Sequence, residues 1–200
     1  MDIYFVRHGQ TDGNVAGRHQ HPDITLNELG KLQVARVAKL LKGMKPTHLI
    51  TSTNKRAMET AMVIGRECDL IPETYPKFEE MHRPDFLVGK RFLEWEAFRY
   101  VVGWLFGVKA ASMHDGESYS DFLARILAAK HQLEALPQNS KVVIVSHTVF
   151  INFFLEHMNR TEKMGVFRAT IRFFAILRLK NTAVTHVTVK DGHWRIKERF

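Results

Sequence analysis

Two histidines in this sequence each come at the end of a short apolar segment. His8 comes after residues 3–6 and Arg7, and His147 follows residues 141–146. Continuous apolar runs of this length are typical of buried parallel strands, so both histidines are predicted at the carboxyl edge of a sheet. Because an imidazole is neutral near pH 7, either side chain can act there as a nucleophile or a proton carrier.

Two arginines are predicted at the same sheet edge. Arg7 precedes His8, and Arg56 lies in the first turn of a predicted helix that starts after Asn54 and a short strand at 47–51. An arginine presents a planar fork of donors that suits phosphate, and the N-terminus of a helix also attracts anions. Three strand ends therefore supply two cations and two imidazoles, which indicates a binding site for a phosphate group.

Three groups of residues carry a family resemblance. They are Arg7-His8-Gly9-Gln10-Thr11 with Asn14, Ser52-Thr53 with Arg56-Ala57 and Thr60-Ala61, and Ser146-His147. The chain resembles the histidine phosphatase superfamily, which also contains the cofactor-dependent phosphoglycerate mutases. Further landmarks occur in family order at 26–35, at Gly116-Glu117-Ser118 and at Asn181-Thr182.

The resemblance implies a mechanism. His8 attacks phosphorus and becomes a transient phosphohistidine, while Arg7, Arg56 and His147 surround the phosphate oxygens. These groups supply the charge neutralisation that kinases obtain largely from magnesium, so we expect no metal and no cofactor. No metal-ligand spacing is visible in the sequence.

The proton for the leaving oxygen is expected from a carboxylic acid, and the resemblance implies that it lies in the segment 78–84. Glu79 and Glu80 are both candidates, and the match of Pro84 and Gly89 to the proline and glycine of the family pattern favours Glu80. We expect the aromatic segment 92–106 to bury this acid.

Several loop residues match family positions with less defined roles. Asn14 is expected to bond either a phosphate oxygen or the histidine loop, and Gly9 to let a bound group approach the backbone. Gln20 and His21 fall where some relatives touch substrate, and Arg18 is expected to brace a loop. Thr148 stands where many relatives carry glycine, and it either narrows the pocket or adds a hydroxyl contact.

The predicted activity is that of a metal-independent phosphoric monoester hydrolase of the histidine acid phosphatase type, acting on a small phosphorylated metabolite. The alternatives are a cofactor-dependent phosphoglycerate mutase and a catalytically silent binder of phosphorylated ligands. Mutases hold a substrate carboxylate with adjacent basic residues after the catalytic glutamate, whereas segment 92–106 offers only Arg99. The intact set of site residues argues against a silent binder.

Composition indicates an ordinary globular protein. The 200 residues are 45% hydrophobic and 25% charged, with a net charge of +8 and one cysteine, Cys68. The basic residues are scattered, so a small anionic substrate is favoured over nucleic acid. No apolar stretch suits a membrane span, and we expect a cytoplasmic protein. The sequence predicts neither the oligomeric state nor the physiological substrate.

The fold is predicted to be α/β, a three-layer sandwich of the phosphoglycerate mutase-like type. Strands alternate with helices, which implies a mainly parallel central sheet with helices on both faces. The chain is expected to form one domain over 1–200, with a helical lid insertion at about 83–115. The predicted strands are 2–7, 47–51, 70–71, 141–146, 170–179, 183–190 and 193–198, and the predicted helices are 27–42, 54–66, 92–106, 118–136 and 148–157.

Overall fold

A computed structural model describes residues 1–92, 94–105, 116–162, 165, 168 and 179–200. The predicted strand at 170–179 and the predicted lid residues 106–115 fall almost entirely outside this part of the chain. The strands are β1 (Asp2–Arg7), β2 (His48–Thr51), β3 (Glu73–Thr74), β4 (Lys141–Ser146), β5 (Val184–Lys190) and β6 (His193–Arg199). The α-helices are α1 (Asp12–Ala16), α2 (Glu28–Met44), α3 (Lys55–Cys68), α4 (Trp95–Leu105), α5 (Tyr119–Glu134) and α6 (Thr148–His157).

The described strands form one mixed sheet in the order β3-β2-β4-β1-β5-β6. The first four are parallel to one another, while β5 and β6 run antiparallel to their neighbours. Because β1, β2 and β4 are adjacent and parallel, their carboxyl ends lie side by side. The predicted α/β sandwich is confirmed, and the sheet edge that carries His8 and His147 is continuous.

Alternating residues of the central strands bury two separate cores. Tyr4 and Val6 of β1 pack with α2 and α3 on one face, whereas Ile3 and Phe5 pack with α4, α5 and α6 on the other. Strand residues alternate between faces with a period of two, so an apolar strand of this kind needs helices on both sides. The continuous apolar run at the start of the chain is therefore explained.

Helix α2 approaches the histidine loop closely. Asn27 caps the helix by accepting the Gly30 N–H at 2.8 Å, and its own N–H donates to the Gln10 carbonyl at 3.0 Å. A Cβ on Gly30 would lie 2.1 Å from that carbonyl oxygen. Only glycine fits at this contact, which accounts for its place in the sequence motif at 26–35.

Two predicted segments differ from the structure. The short strand expected at 70–71 is wrong: Leu70 donates its N–H to Gly65 at 2.9 Å as α3 ends, and the neighbouring strand is β3. The polar loop expected at 8–25 contains helix α1. Thr11 and Asn14 form a capping box there, with the Asn14 N–H donating to Thr11 Oγ1 at 3.1 Å. Short polar helices lack the apolar periodicity that sequence reading depends on.

The aromatic segment 92–106 has two environments. Tyr100 and Trp104 are buried, whereas Phe92, Trp95 and Phe98 are exposed. Phe106 lies outside the described residues. None of the described helices is both long enough and apolar enough to cross a membrane.

Candidate active site

His8 is held in one tautomer by the turn that follows β1. Its Nδ1 lies 2.7 Å from the Gly9 carbonyl oxygen, which can only accept a proton, so Nδ1 carries the hydrogen and Nε2 keeps a lone pair. The ring is buried. Burial, together with the charges of Arg56 and Arg7, lowers the pKa of His8 well below its usual value. The imidazole is therefore neutral at pH 7, as a nucleophile requires.

Both predicted arginines reach the site. Arg56 Nε donates to His8 Nε2 at 3.3 Å, and its Nη1 donates to the His21 carbonyl at 3.1 Å. Arg7 Nη1 donates to the Leu179 carbonyl, while its Nε is buried without a partner among the described residues. Burial lowers the pKa of Arg56 to about 10, and it also lowers that of Arg7, so both guanidinium groups remain charged at pH 7.

The ring of His147 lies beside that of His8, with ring centroids 5.1 Å apart. Its Nε2 lies 2.7 Å from Ser52 Oγ, which also accepts the Asn54 N–H at 3.1 Å. The Ser52 hydroxyl can donate to Nε2 while it accepts the Asn54 N–H, and in that arrangement the proton of His147 is on Nδ1. That Nδ1 is buried and unpartnered among the described residues, so it is available to a ligand.

Glu80 lies at the N-terminus of α6, beside His147. Its Oε1 accepts N–H groups from Met81 and Phe150, each at 3.0 Å, and its Oε2 accepts the Val149 N–H at 3.1 Å. Against the larger effect of burial, the charge of Glu80 raises the pKa of both Arg7 and Arg56, which places its carboxyl near the two guanidinium groups. The described hydrogen bonds of Glu80 are thus with backbone N–H groups, and its burial by the aromatic segment stays a prediction.

Glu79, the other candidate, points to different partners. The Thr53 hydroxyl donates to its Oε1, and its Oε2 lies 2.6 Å from His82 Nε2. Of the two glutamates, Glu80 is the one that accepts N–H groups from Val149 and Phe150 of α6, the helix that follows His147.

The segment that carries both glutamates is fixed by a buried ion pair that the sequence did not reveal. Arg125 binds both carboxylate oxygens of Glu117, with contacts of 2.7 and 2.6 Å. The same guanidinium donates to the carbonyls of Glu79 at 2.8 Å and Glu80 at 3.2 Å. The family landmark at 116–118 therefore contains Glu117, which together with Arg125 fixes the Glu80 segment. Arg125 lies eight residues after Glu117, in α5.

The remaining loop residues support the histidine turn. Asn14 Oδ1 accepts from the Thr11 N–H and from Asn181 Nδ2, which also donates to the His8 carbonyl at 3.1 Å. Of its two predicted roles, the structure shows the contact with the histidine loop. Gln20 Oε1 accepts the Thr11 hydroxyl at 2.6 Å. Sequence reasoning noted Asn181 as a landmark and missed this contact.

Three further predictions can be compared with the geometry. His21 reaches the site through its backbone carbonyl, while its ring is exposed beside Asp23. Arg18 Nη1 donates to the Gly89 carbonyl at 2.5 Å, so it braces a loop as expected. Thr148 is the first residue of α6 and is half-buried.

Gly9 brings the histidine loop close to α2. A Cβ on Gly9 would lie 2.7 Å from Val34 Cγ2 and 2.8 Å from the Gly30 carbonyl. The missing side chain therefore makes room for α2. The Gly9 N–H donates to Thr60 Oγ1 at 3.1 Å, one turn after Arg56, which explains the spacing of the motif in α3.

Comparisons with known proteins agree with this geometry. The model of the histidine phosphatase superfamily (branch 1) matches residues 3–200. A probable phosphoglycerate mutase from Proteus mirabilis is 28% identical over 198 residues, which cover 97% of this chain and 87% of the relative. A protein of the same description from Yersinia pestis is 29% identical over 201 residues with the same coverage.

Solved structures share the fold. A mycobacterial hydrolase superposes with a TM-score of 0.79 at 25% identity, covering 98% of this chain and 96% of the other. A variant of phosphoserine phosphatase from Entamoeba histolytica, in complex with phosphoserine, gives a TM-score of 0.75 at 23% identity and covers 99% and 95% of the two chains. With the family model spanning nearly every residue, the chain belongs to the histidine phosphatase superfamily.

Proposed function

We propose that this protein is a phosphomonoesterase that works through a phosphohistidine at His8 and needs no metal ion. The observation that carries the proposal is the bond from His8 Nδ1 to the Gly9 carbonyl. It leaves the lone pair of Nε2 in a buried pocket with Arg7, Arg56 and His147. A neutral nucleophile surrounded by fixed donors is the arrangement that phosphoryl transfer needs.

In the first step, His8 Nε2 forms a bond to phosphorus while the bond to the ester oxygen breaks. Arg7, Arg56 and the Nδ1–H of His147 bind the phosphoryl oxygens. Arg56 has to release its bond to His8 Nε2 to do so, because that lone pair is the one that attacks. The incoming phosphate oxygens provide the replacement acceptor for its N–H.

Glu80 supplies the proton to the leaving oxygen. Its Oε1 accepts two N–H groups and its Oε2 only one, so the remaining lone pair of Oε2 is the position at which a proton is exchanged. In the second step, a water molecule attacks the phosphohistidine and passes a proton to Oε2. Inorganic phosphate leaves, and His8 returns to its neutral form.

The second candidate function is phosphoglycerate mutase, which the names of the relatives favour. In a mutase, a hydroxyl of the bound acceptor replaces the water of the second step. We favour the hydrolase because Arg99, the basic residue of the aromatic segment, is exposed on α4. Similarity to a protein described as a hydrolase at 25% identity supports the same choice. A small phosphorylated substrate and a cytoplasmic location are part of this proposal.

An aryl phosphate assay with excess chelator tests the proposal. We expect turnover that survives chelation, is abolished by His8→Ala, and is unchanged by His193→Ala, which removes an exposed histidine. Turnover that requires a metal, or that persists in His8→Ala, would refute it. Isomerisation of 3-phosphoglycerate in the presence of 2,3-bisphosphoglycerate, faster than phosphate release, would select the mutase.

A further inference from the structure

Glu79, the neighbour of the proposed proton donor, has a partner within the protein for each of its polar groups. Its N–H donates to the Pro76 carbonyl at 3.1 Å, and its own carbonyl accepts from Arg125 at 2.8 Å. The Thr53 hydroxyl donates to its Oε1, and its Oε2 lies 2.6 Å from His82 Nε2. The side chain is largely buried, at 16% exposure. Hydrogen bonds to an ionised carboxylate are among the strong ones, so this side chain is firmly held.

The two partners of the Glu79 carboxylate belong to parts of the structure that are themselves fixed. Thr53 follows Ser52, whose N–H donates to the Val145 carbonyl of β4 at 3.2 Å and whose hydroxyl contacts His147 at 2.7 Å. The short segment after β2 therefore contacts both a histidine of the site and the segment of the proton donor. On the other side, the N–H of His82 donates to Glu117 Oε2 at 3.3 Å, and its carbonyl accepts the Glu117 N–H at 2.9 Å.

Glu80 has a different set of contacts from its neighbour. Its carboxylate accepts N–H groups at the start of α6, and Oε2 accepts only that of Val149 among the described hydrogen bonds. The side chain of Glu79 thus fixes the backbone from which Glu80 projects, without contacting the partners of Glu80. One glutamate is engaged by the protein through both carboxylate oxygens, and the other keeps an oxygen for proton exchange.

We propose that Glu79 is a positioning residue, held by Thr53 and His82, which keeps Oε2 of Glu80 within reach of the leaving oxygen. As the bond from phosphorus to that oxygen breaks, the proton of Glu80 passes to it. A displacement of one ångström can slow such a step about 100-fold. Proton transfer matters for an alkyl ester, whose alkoxide is a poor leaving group, and hardly for 4-nitrophenolate, which departs as an anion. The choice of Glu80 as the donor, on which this role rests, belongs to the proposed function.

A comparison of two leaving groups tests the role of Glu79. Propyl phosphate needs the proton and 4-nitrophenyl phosphate does not, and kcat/KM reports the step in which the leaving group departs. Glu80→Gln should reduce the ratio of kcat/KM for propyl phosphate to that for 4-nitrophenyl phosphate by about 100-fold or more, the value of a general acid. Glu79→Ala should reduce the same ratio about 10-fold, because the acid is present but misplaced.

Thr53 provides a matched pair of variants that leave both glutamates in place. Thr53→Val removes the hydroxyl at almost constant volume and should reduce the ratio about 2- to 10-fold, the value of one hydrogen bond. Thr53→Ser keeps the hydroxyl and should retain the ratio of the unmodified protein. Glu73→Ala is the control, because it removes an exposed glutamate from β3, and it should leave the ratio unchanged.

A merely structural role predicts a different result, since a loss of folded protein slows both substrates equally. Equal losses on the two substrates in Glu79→Ala and in Thr53→Val would therefore overturn the positioning role. A ratio in Glu79→Ala as low as that in Glu80→Gln would also overturn it, because Glu79 would then be the proton donor.

The ratio depends on the leaving group and not on which residue attacks phosphorus. A selective loss on propyl phosphate in Glu79→Ala would thus support the positioning role even if His8→Ala remained active and the proposed nucleophile were wrong. An unchanged ratio in Glu79→Ala would refute the positioning role even if His8→Ala were inactive, as the proposed function requires.

Discussion

The clamp between Arg125 and Glu117 yields a prediction about both stability and catalysis. Both side chains are largely buried, at 14% and 8% exposure. Removing one partner of a buried pair leaves the other charge uncompensated, which typically costs about 3–5 kcal/mol. We therefore expect Arg125→Leu and Glu117→Leu each to lower the free energy of unfolding by about that amount. Such a loss is a large share of the 5–15 kcal/mol by which domains are usually stable.

The double variant distinguishes a pair from two unrelated sites. With both charges removed, no buried charge is left unpaired, so its loss of stability should be at least about 2 kcal/mol smaller than the sum of the single losses. The kcat of the double variant should remain low, as in Arg125→Leu alone, because in both proteins the carbonyls of Glu79 and Glu80 lose their hydrogen bonds to the guanidinium. Stability and activity should thus recover to different extents.

Urea unfolding at constant m-value, together with aryl phosphate turnover, measures both effects. The control is Lys31→Gln, which breaks the exposed pair with Glu28 and should leave the urea midpoint unchanged. Losses below about 1 kcal/mol, or strictly additive losses in the double variant, would refute the argument.

Three further predictions concern the loop, the second histidine and pH. Gly30→Ala should lose about 1–3 kcal/mol of stability because its Cβ meets the Gln10 carbonyl. Gly43 is exposed in the same helix, and a Cβ there has nothing within 4 Å, so Gly43→Ala should gain about 0.5–1 kcal/mol. Equal urea midpoints for the two variants would contradict this. Ser52→Ala should lower kcat/KM for an aryl phosphate about 10-fold by freeing the tautomer of His147, and an unchanged value would exclude that role. Burial lowers the pKa of His19 to about 3 in the folded protein, against about 6.5 in the unfolded chain, so between these values the unfolded state binds one more proton. The free energy of unfolding should therefore fall as pH drops from 6.5 towards 3, by about 3 kcal/mol at pH 4. In His19→Gln, urea titrations should no longer show this part of the pH dependence.

The main sheet and the positions of the histidines could be predicted because they depend on local patterns. The apolar runs of β1 and β4 are continuous, and each ends at a histidine, so strand type and sheet edge follow from the sequence. The boundaries of β3 could not be predicted in the same way. Its two exposed residues, Glu73 and Thr74, carry no apolar signal, and pairing with β2 alone defines them.

Contacts between distant segments account for the parts of the site that sequence reasoning missed. Arg125 and Asn181 each support the site from far along the chain, and nothing in their immediate neighbours indicates this role.

The central claim is that His8 Nε2 carries the phosphoryl group during turnover. The direct measurement is rapid quenching in base during hydrolysis of a phosphomonoester, followed by mass spectrometry of the peptides. We predict one acid-labile, base-stable phosphoryl group, located on His8, in an amount that approaches one per chain when the second step is slow. Phosphate found on another residue, or steady turnover with no phosphoenzyme at any quench time, would contradict the claim.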